Sequence, residues 1–138
     1  MPKLAGVAWI FDDKSLYRTR EDFFPVSSFG LSYIDLLASC NLVLTKTGYG
    51  TQTEAVINQI PALCVQRPDW PEEPYLSAWH QQQGEVVFID WQAIQTGQFV
   101  EPLTALLTTT WTKQRVLPTG AQEAASYIQA CLAGKYQG

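Results

Sequence analysis

The sequence predicts an α/β fold, an open parallel sheet flanked by helices, and three observations carry that prediction. Short apolar runs at 42–45, 62–66 and 85–89 alternate with segments of helical spacing at 51–59 and about 74–83. The connections are short, and alternation of this kind joins parallel strands through crossover helices. The first run, Leu42 to Thr45, passes through Lys46-Thr47-Gly48-Tyr49-Gly50-Thr51 directly into a helix.

Taken in order, Leu4 to Phe11 is a continuous apolar run ending at Asp12-Asp13-Lys14, so it reads as a buried strand covered on both faces. Residues 12–22 are polar and charged, as in an exposed loop. Phe23-Phe24-Pro25-Val26 fits a brief edge strand, because proline cannot donate to a central ladder. Leu31, Ile34, Leu37 and Ala38 recur at helical spacing within 31–40. After the alternating region come two more helices. One spans Phe99 to Leu107, with Val100, Leu103, Leu106 and Leu107 on one side. The other spans Gly120 to Leu132, with Ala124, Ala125, Ile128 and Leu132. Thr108 to Thr112 reads as a polar loop.

At 138 residues the chain reads as one domain over 1–138, able to bury roughly two-thirds of its unfolded surface. Hydrophobic residues make up 46% and charged residues 16%, which is the balance of a packed globular protein and not of a disordered one. A formal charge of −4 without any basic run argues against nucleic acid as a partner. Cys40, Cys64 and Cys131 are odd in number, widely spaced and set in apolar segments, which reads as reduced thiols without metal-ligand spacing. No leader pattern is present, and no apolar run approaches the roughly 18 residues a bilayer requires. The expectation is a soluble, cytoplasmic chain.

The turn Thr47-Gly48-Tyr49-Gly50-Thr51 is suited to phosphate, since a helix N-terminus offers unpaired amides and partial positive charge. It is equally a place where a chain reversing direction would need glycine. Neither the Gly-Lys-Ser/Thr phosphate loop nor the full dinucleotide glycine pattern is present, position 53 being threonine. Thr51-x-x-Glu54 matches a capping box; alternatively, the Glu54 carboxylate accepts hydrogen bonds from ribose hydroxyls. Asp69-Trp70-Pro71-Glu72-Glu73-Pro74 follows a strand and so lies at the carboxyl edge of the sheet, where open α/β folds bind ligands. Its acids and Pro74 also suit helix initiation. Adjacent helical residues do not share a face, so one of Glu72 and Glu73 points to the cleft. Lys46 and Arg67 end consecutive strands on the same edge, as phosphate contacts or as solvated cations. His80 reads as a surface or packing residue, and Asp12-Asp13 lacks the further ligands of a Mg²⁺ site. No metal or other cofactor is expected.

These residues together resemble the C-terminal, donor-binding domain of GT-B glycosyltransferases, the group that includes the UDP-N-acetylglucosamine transferase of peptidoglycan synthesis. The similar part runs from about Tyr33 to Ile89, through Tyr33-Ile34-Asp35-Leu36-Leu37-Ala38, Asn41 to Thr51, Glu54-Ala55 and Pro61-Ala62-Leu63. The family usually has aspartate in place of Asn41 and commonly glycine in place of Ile60. The resemblance implies a Rossmann-like domain holding a nucleotide sugar, with UDP as the nucleotide. The diphosphate would face Thr47, Gly48, Tyr49, Gly50 and Thr51, the ribose would face Glu54, and the sugar would face Glu72 or Glu73. It also implies that the amides and helix dipole, without a metal, stabilise the leaving diphosphate. The family's acceptor domain and its initial strand and helix have no counterpart before Leu4. The expectation is therefore a donor half, catalytically incomplete alone, partnered by an N-terminal Rossmann-like domain on another chain or by a second copy. The alternative is a non-enzymatic interaction module on the same fold, which the five tryptophans and an open sheet edge would suit.

Overall fold

A computed structural model describes residues 1–12 and 20–134. Three strands, β3 (Val43–Lys46), β4 (Ala62–Val65) and β5 (Val86–Ile89), form a parallel sheet in the order β3-β4-β5. Leu44 pairs with Leu63 and Lys46 with Val65 across the first ladder, and Leu63 with Val87 and Val65 with Ile89 across the second. Helices α2 (Tyr49–Ile57) and α3 (Glu73–Gln83) are the crossovers. This is the predicted Rossmann-like arrangement on a small scale.

Alternation along the strands sends successive side chains to opposite faces. One face presents Leu44, Leu63, Val87 and Ile89 to Phe99, Leu103 and Leu106 at and along α5 (Val100–Leu107), and Ile94 of α4 (Trp91–Thr96) joins the same cluster. The other face presents Val43 to Leu37 of α1 (Tyr33–Ala38), Ala55 of α2 and Ile60. All four residues of β4 are buried, as a central strand between two helical layers requires. Helix α4 was not anticipated from the sequence. Asp90 caps it by accepting the Ala93 N–H at 2.7 Å, a signal present in Asp90-Trp91 but too short to stand out.

The N-terminal run is a strand only over β1 (Trp9–Phe11), which pairs in parallel with β2 (Phe23–Pro25) as a separate two-stranded sheet. The longer strand expected over 4–11 is interrupted because Leu4 to Val7 closes a turn, with the Val7 N–H on the Leu4 carbonyl at 3.2 Å and Gly6 at φ +73°. Trp9 nevertheless belongs to the core cluster of Leu63 and Leu103, so the run's apolar content is used for packing. Residues 13–19 of the loop expected over 12–22 lie outside the described residues, as does Asp13. Among the described residues no group of metal-ligating side chains is found and no helix is long and apolar enough to cross a membrane. The three thiols are unpaired: Cys64 is buried, Cys40 half-buried and Cys131 exposed.

Helix α2 starts two residues earlier than the sequence suggests and ends in a Schellman motif. The Ile60 N–H reaches the Ala55 carbonyl at 2.8 Å and the Gln59 N–H the Val56 carbonyl at 3.2 Å, while Ile60 packs against Ala55. This geometry requires a left-handed residue at the position after the cap. Here that residue is Gln59, at φ 58°, one position before the site where the resemblance placed a glycine. Helix α6 (Gly120–Leu132) carries no buried residue, and Ile128 and Leu132 are 57% and 83% exposed. The strain at Gln59 is measurable: Gln59→Gly should stabilise the protein by about 0.5–1 kcal/mol, seen as a higher urea midpoint at unchanged m-value.

Candidate functional site

The carboxyl ends of β3 and β4 open onto two loops, Thr47-Gly48 and 66–72, and a buried carboxylate fastens them together. Glu73 is 5% exposed. It accepts hydrogen bonds from the Thr47 hydroxyl, from the Arg67 backbone N–H at 2.7 Å and from the Ser77 hydroxyl at 3.3 Å. Burying a carboxylate without donors would be prohibitive, and these three replace its water. Its neighbour Glu72 is exposed and hydrogen bonded to the Tyr49 hydroxyl, an interaction that raises the Tyr49 pKa. The two acids thus point apart, as adjacent helical positions must. Glu73 is turned inward and Glu72 faces the edge.

A second buried pair fixes the start of α2. Gln52 is fully buried; its Oε1 accepts the Gly48 N–H at 2.8 Å and its Nε2 lies 2.8 Å from His80 Nδ1. Because Oε1 is used as acceptor, Nε2 donates to Nδ1, and the histidine proton resides on Nε2. Burial holds His80 neutral and lowers its pKa to about 4. The ring fits edge-on against Phe88, 6.3 Å between centroids, and above Gly84. A Cβ on Gly84 would stand 2.8 Å from the imidazole, so a glycine is needed there for close approach. His80 is therefore a packing residue of the site's foundation.

The expected capping box does not form. With Gly48 as the N-cap, Gln52 reaches back to the cap amide, while the Thr51 hydroxyl lies 2.9 Å from that of Tyr33. Glu54 is half-buried and free of the cap. Residues 50 and 54 are four apart, so Glu54 sits one turn below Gly50 on the same helix face.

The turn's own amides divide cleanly. The Thr47 N–H continues the β ladder to the Val65 carbonyl at 2.9 Å, and the Gly48 N–H is held by Gln52. Among the described residues, the N–H groups of Tyr49, Gly50 and Thr51 meet no acceptor, as expected of a helix start. Gly48 and Gly50 are not demanded by the fold. Neither has a left-handed φ, and a Cβ on either would meet nothing within 4 Å.

Around this turn stand Arg67 and Trp70. The guanidinium lies 4.9 Å over the Trp70 ring and its Nη1 is 3.4 Å from the Thr47 carbonyl. The Tyr49 ring meets Trp70 edge-on, 5.4 Å between centroids. Lys46 is exposed at the end of β3. Sequence reasoning brought Lys46, Thr47 to Thr51, Glu54, Arg67 and Glu72 to this edge; it missed Gln52, whose buried amide inside a helix gives no local signal. Cys64, beneath Glu73, is pushed up to about 12 by burial and by that carboxylate, so it is an inert thiol. No family description matches the chain, and no curated protein or solved structure matches it either.

Removing the fastening should be expensive. Glu73→Ala leaves the buried Thr47 hydroxyl and the part-buried Arg67 N–H without their acceptor and should lower stability by about 2–3 kcal/mol, measured by urea unfolding. His80 adds a pH dependence. Its folded pKa lies below the unfolded value, so acid protonates the unfolded chain first. The stabilising contribution is complete above about pH 6.5 and is lost as the pH falls toward about 4. By linkage, the loss is about 2–3 kcal/mol between pH 7.5 and 4.5. The His80→Gln variant should lack that component of the slope.

Proposed function

We propose that the carboxyl edge of β3 and β4 binds the diphosphate, ribose and sugar of a nucleotide sugar, with UDP as the nucleotide, as the donor half of a glycosyltransferase-like site. One observation carries the reading. Gly48 and Gly50 sit at a helix start where neither backbone conformation nor packing asks for glycine; the N-cap position of Gly48 tolerates glycine, but at Gly50, inside the helix, it is destabilising. What two missing side chains provide there is access to the amides of Tyr49, Gly50 and Thr51.

A diphosphate seated on those amides would be stabilised by the helix dipole, the interaction that lowers the barrier when the diphosphate departs. Arg67 stands close enough to the Thr47 carbonyl to add a cation, and Lys46 supplies another at the end of β3. Glu54, one turn along the same face, is placed for ribose hydroxyls, and Glu72 and Tyr49 for the sugar. Glu73 acts behind this surface by holding the loops. His80 is buried and neutral, so its part is to support the edge, and the residues at the edge are assigned to binding and orienting the donor. The resemblance to GT-B donor domains supports the same assignment.

A second reading, an interaction module, is favoured by α6, whose apolar residues Ile128 and Leu132 are uncovered. Concentration-dependent association in sedimentation, abolished by Leu132→Asp, would support it. A strictly monomeric species would count against it.

The nucleotide reading makes two predictions of opposite sign at one residue. Gly50→Ala should raise stability by about 0.5–1 kcal/mol while weakening UDP binding. Glu54→Ala should weaken UDP about tenfold, or about 1.4 kcal/mol, by calorimetry. No heat with millimolar UDP and UDP-sugars, or a Glu54→Ala variant equal to the parent, would sink the idea.

A further inference from the structure

A concavity opens on the face of the sheet opposite α2, under α4. It measures about 440 Å³, with Leu44, Val65 and Ile94 among its lining residues, Trp91 at the start of α4, and Lys46 and Arg67 at the strand ends. The volume lies within the range of small-molecule sites, which combine an apolar floor with a few placed polar groups.

Its charge is what distinguishes it. The chain carries a formal −4, yet no carboxylate side chain lines this space while two basic side chains do. Arg67 is partly committed to Trp70; Lys46 has no ion-pair partner among the described residues. The nearest acid in sequence, Asp90, is occupied in capping α4. The larger concavity near the N-terminus, about 550 Å³, differs in this respect: its Lys3 is paired with Glu21 at 2.6 Å and its Asp22 with Arg20, so its charges are internally matched.

Trp91 is 62% exposed although it follows a helix cap and stands beside apolar residues. An indole left at the lip of an apolar recess offers a face or edge to a flat ring. Leu44, Lys46 and Val65 share one sheet face by register, whereas α2, with Glu54, packs on the other. Glu54 and this recess therefore lie on opposite faces of the sheet. We propose that this concavity binds a small aromatic anion, its ring against Leu44, Val65, Ile94 and Trp91 and its negative group on Lys46, with Arg67 assisting.

The probe is phenyl phosphate, titrated into the ¹⁵N-labelled chain, with inorganic phosphate and phenol as separate arms. Saturable shifts at residues 44–46, 65–67 and 91–94 are expected, with phenyl phosphate at least tenfold tighter than either fragment. Trp91→Ala and Lys46→Gln should each weaken it at least tenfold; both side chains are solvent-exposed, so both variants should fold. Phenyl phosphate binding no tighter than phosphate or phenol, or insensitivity to both substitutions, overturns the proposal. So do shifts confined to residues 48–54 with residues 91–94 unmoved, which would place the probe in the nucleotide site. Failure of UDP to bind, with phenyl phosphate still saturating, would instead remove the nucleotide reading alone.

Discussion

A single buried carboxylate holds the carboxyl edge of this protein's sheet together. Glu73 lies at the first turn of α3 and gathers the Thr47 hydroxyl, the Arg67 amide and the Ser77 hydroxyl, which belong to the β3 loop, the β4 loop and α3. In a parallel sheet these loops have no ladder of their own beyond the strand ends. Without a common acceptor they would be tied beyond their roots only by the Arg67 guanidinium at the Thr47 carbonyl and by Tyr49 against Trp70. The donors also make the burial tolerable, since each replaces a water the charge has lost.

Gln52 and His80 perform the corresponding task beneath the turn. Their chain runs from the Gly48 amide through a buried side-chain amide to a neutral imidazole wedged against Phe88 and Gly84. The direction of every donor is fixed by the first bond in the series. The consequence for the site is selective: Gly48 is satisfied from inside, and Tyr49, Gly50 and Thr51 are left facing outward. That chain ends at the buried His80 Nε2, which has no hydrogen-bond partner among the described residues. The only histidine thereby supports the carboxyl edge of the sheet through packing and a hydrogen bond, removed from solvent.

The two faces of the sheet are put to different uses. Helix α1 and the crossovers α2 and α3 cover the side that carries Glu54, and α4 and α5 cover the side of the concavity at Trp91. Lys46 and Arg67 stand at the strand ends between them and are the cations available to both. Their position follows from strand length: each is at or just beyond the last ladder residue, where side chains leave the packed layers. A chain with so few charged residues concentrates positive charge there without a basic run in the sequence.

The alternating apolar runs and helical spacings of 42–89 were legible because period and length are local properties, and every strand and crossover there falls within two residues of the expected bounds. The turn, its edge location and the opposed directions of Glu72 and Glu73 were legible for the same reason. Local pattern misled where a partner decides the outcome. The run at 4–11 is strand only where Phe23 to Pro25 lies beside it, and Thr51-x-x-Glu54 lost the helix cap to a glutamine that no motif marks. Which acid faces inward, which amides remain free and whether Gly48 and Gly50 serve the fold all depend on neighbours distant in sequence. By itself the sequence determined the parallel α/β architecture and the edge where chemistry-bearing residues gather. Tertiary structure alone decided which of them are spent on holding that edge, because a buried polar group must be satisfied by whatever packing brings within reach.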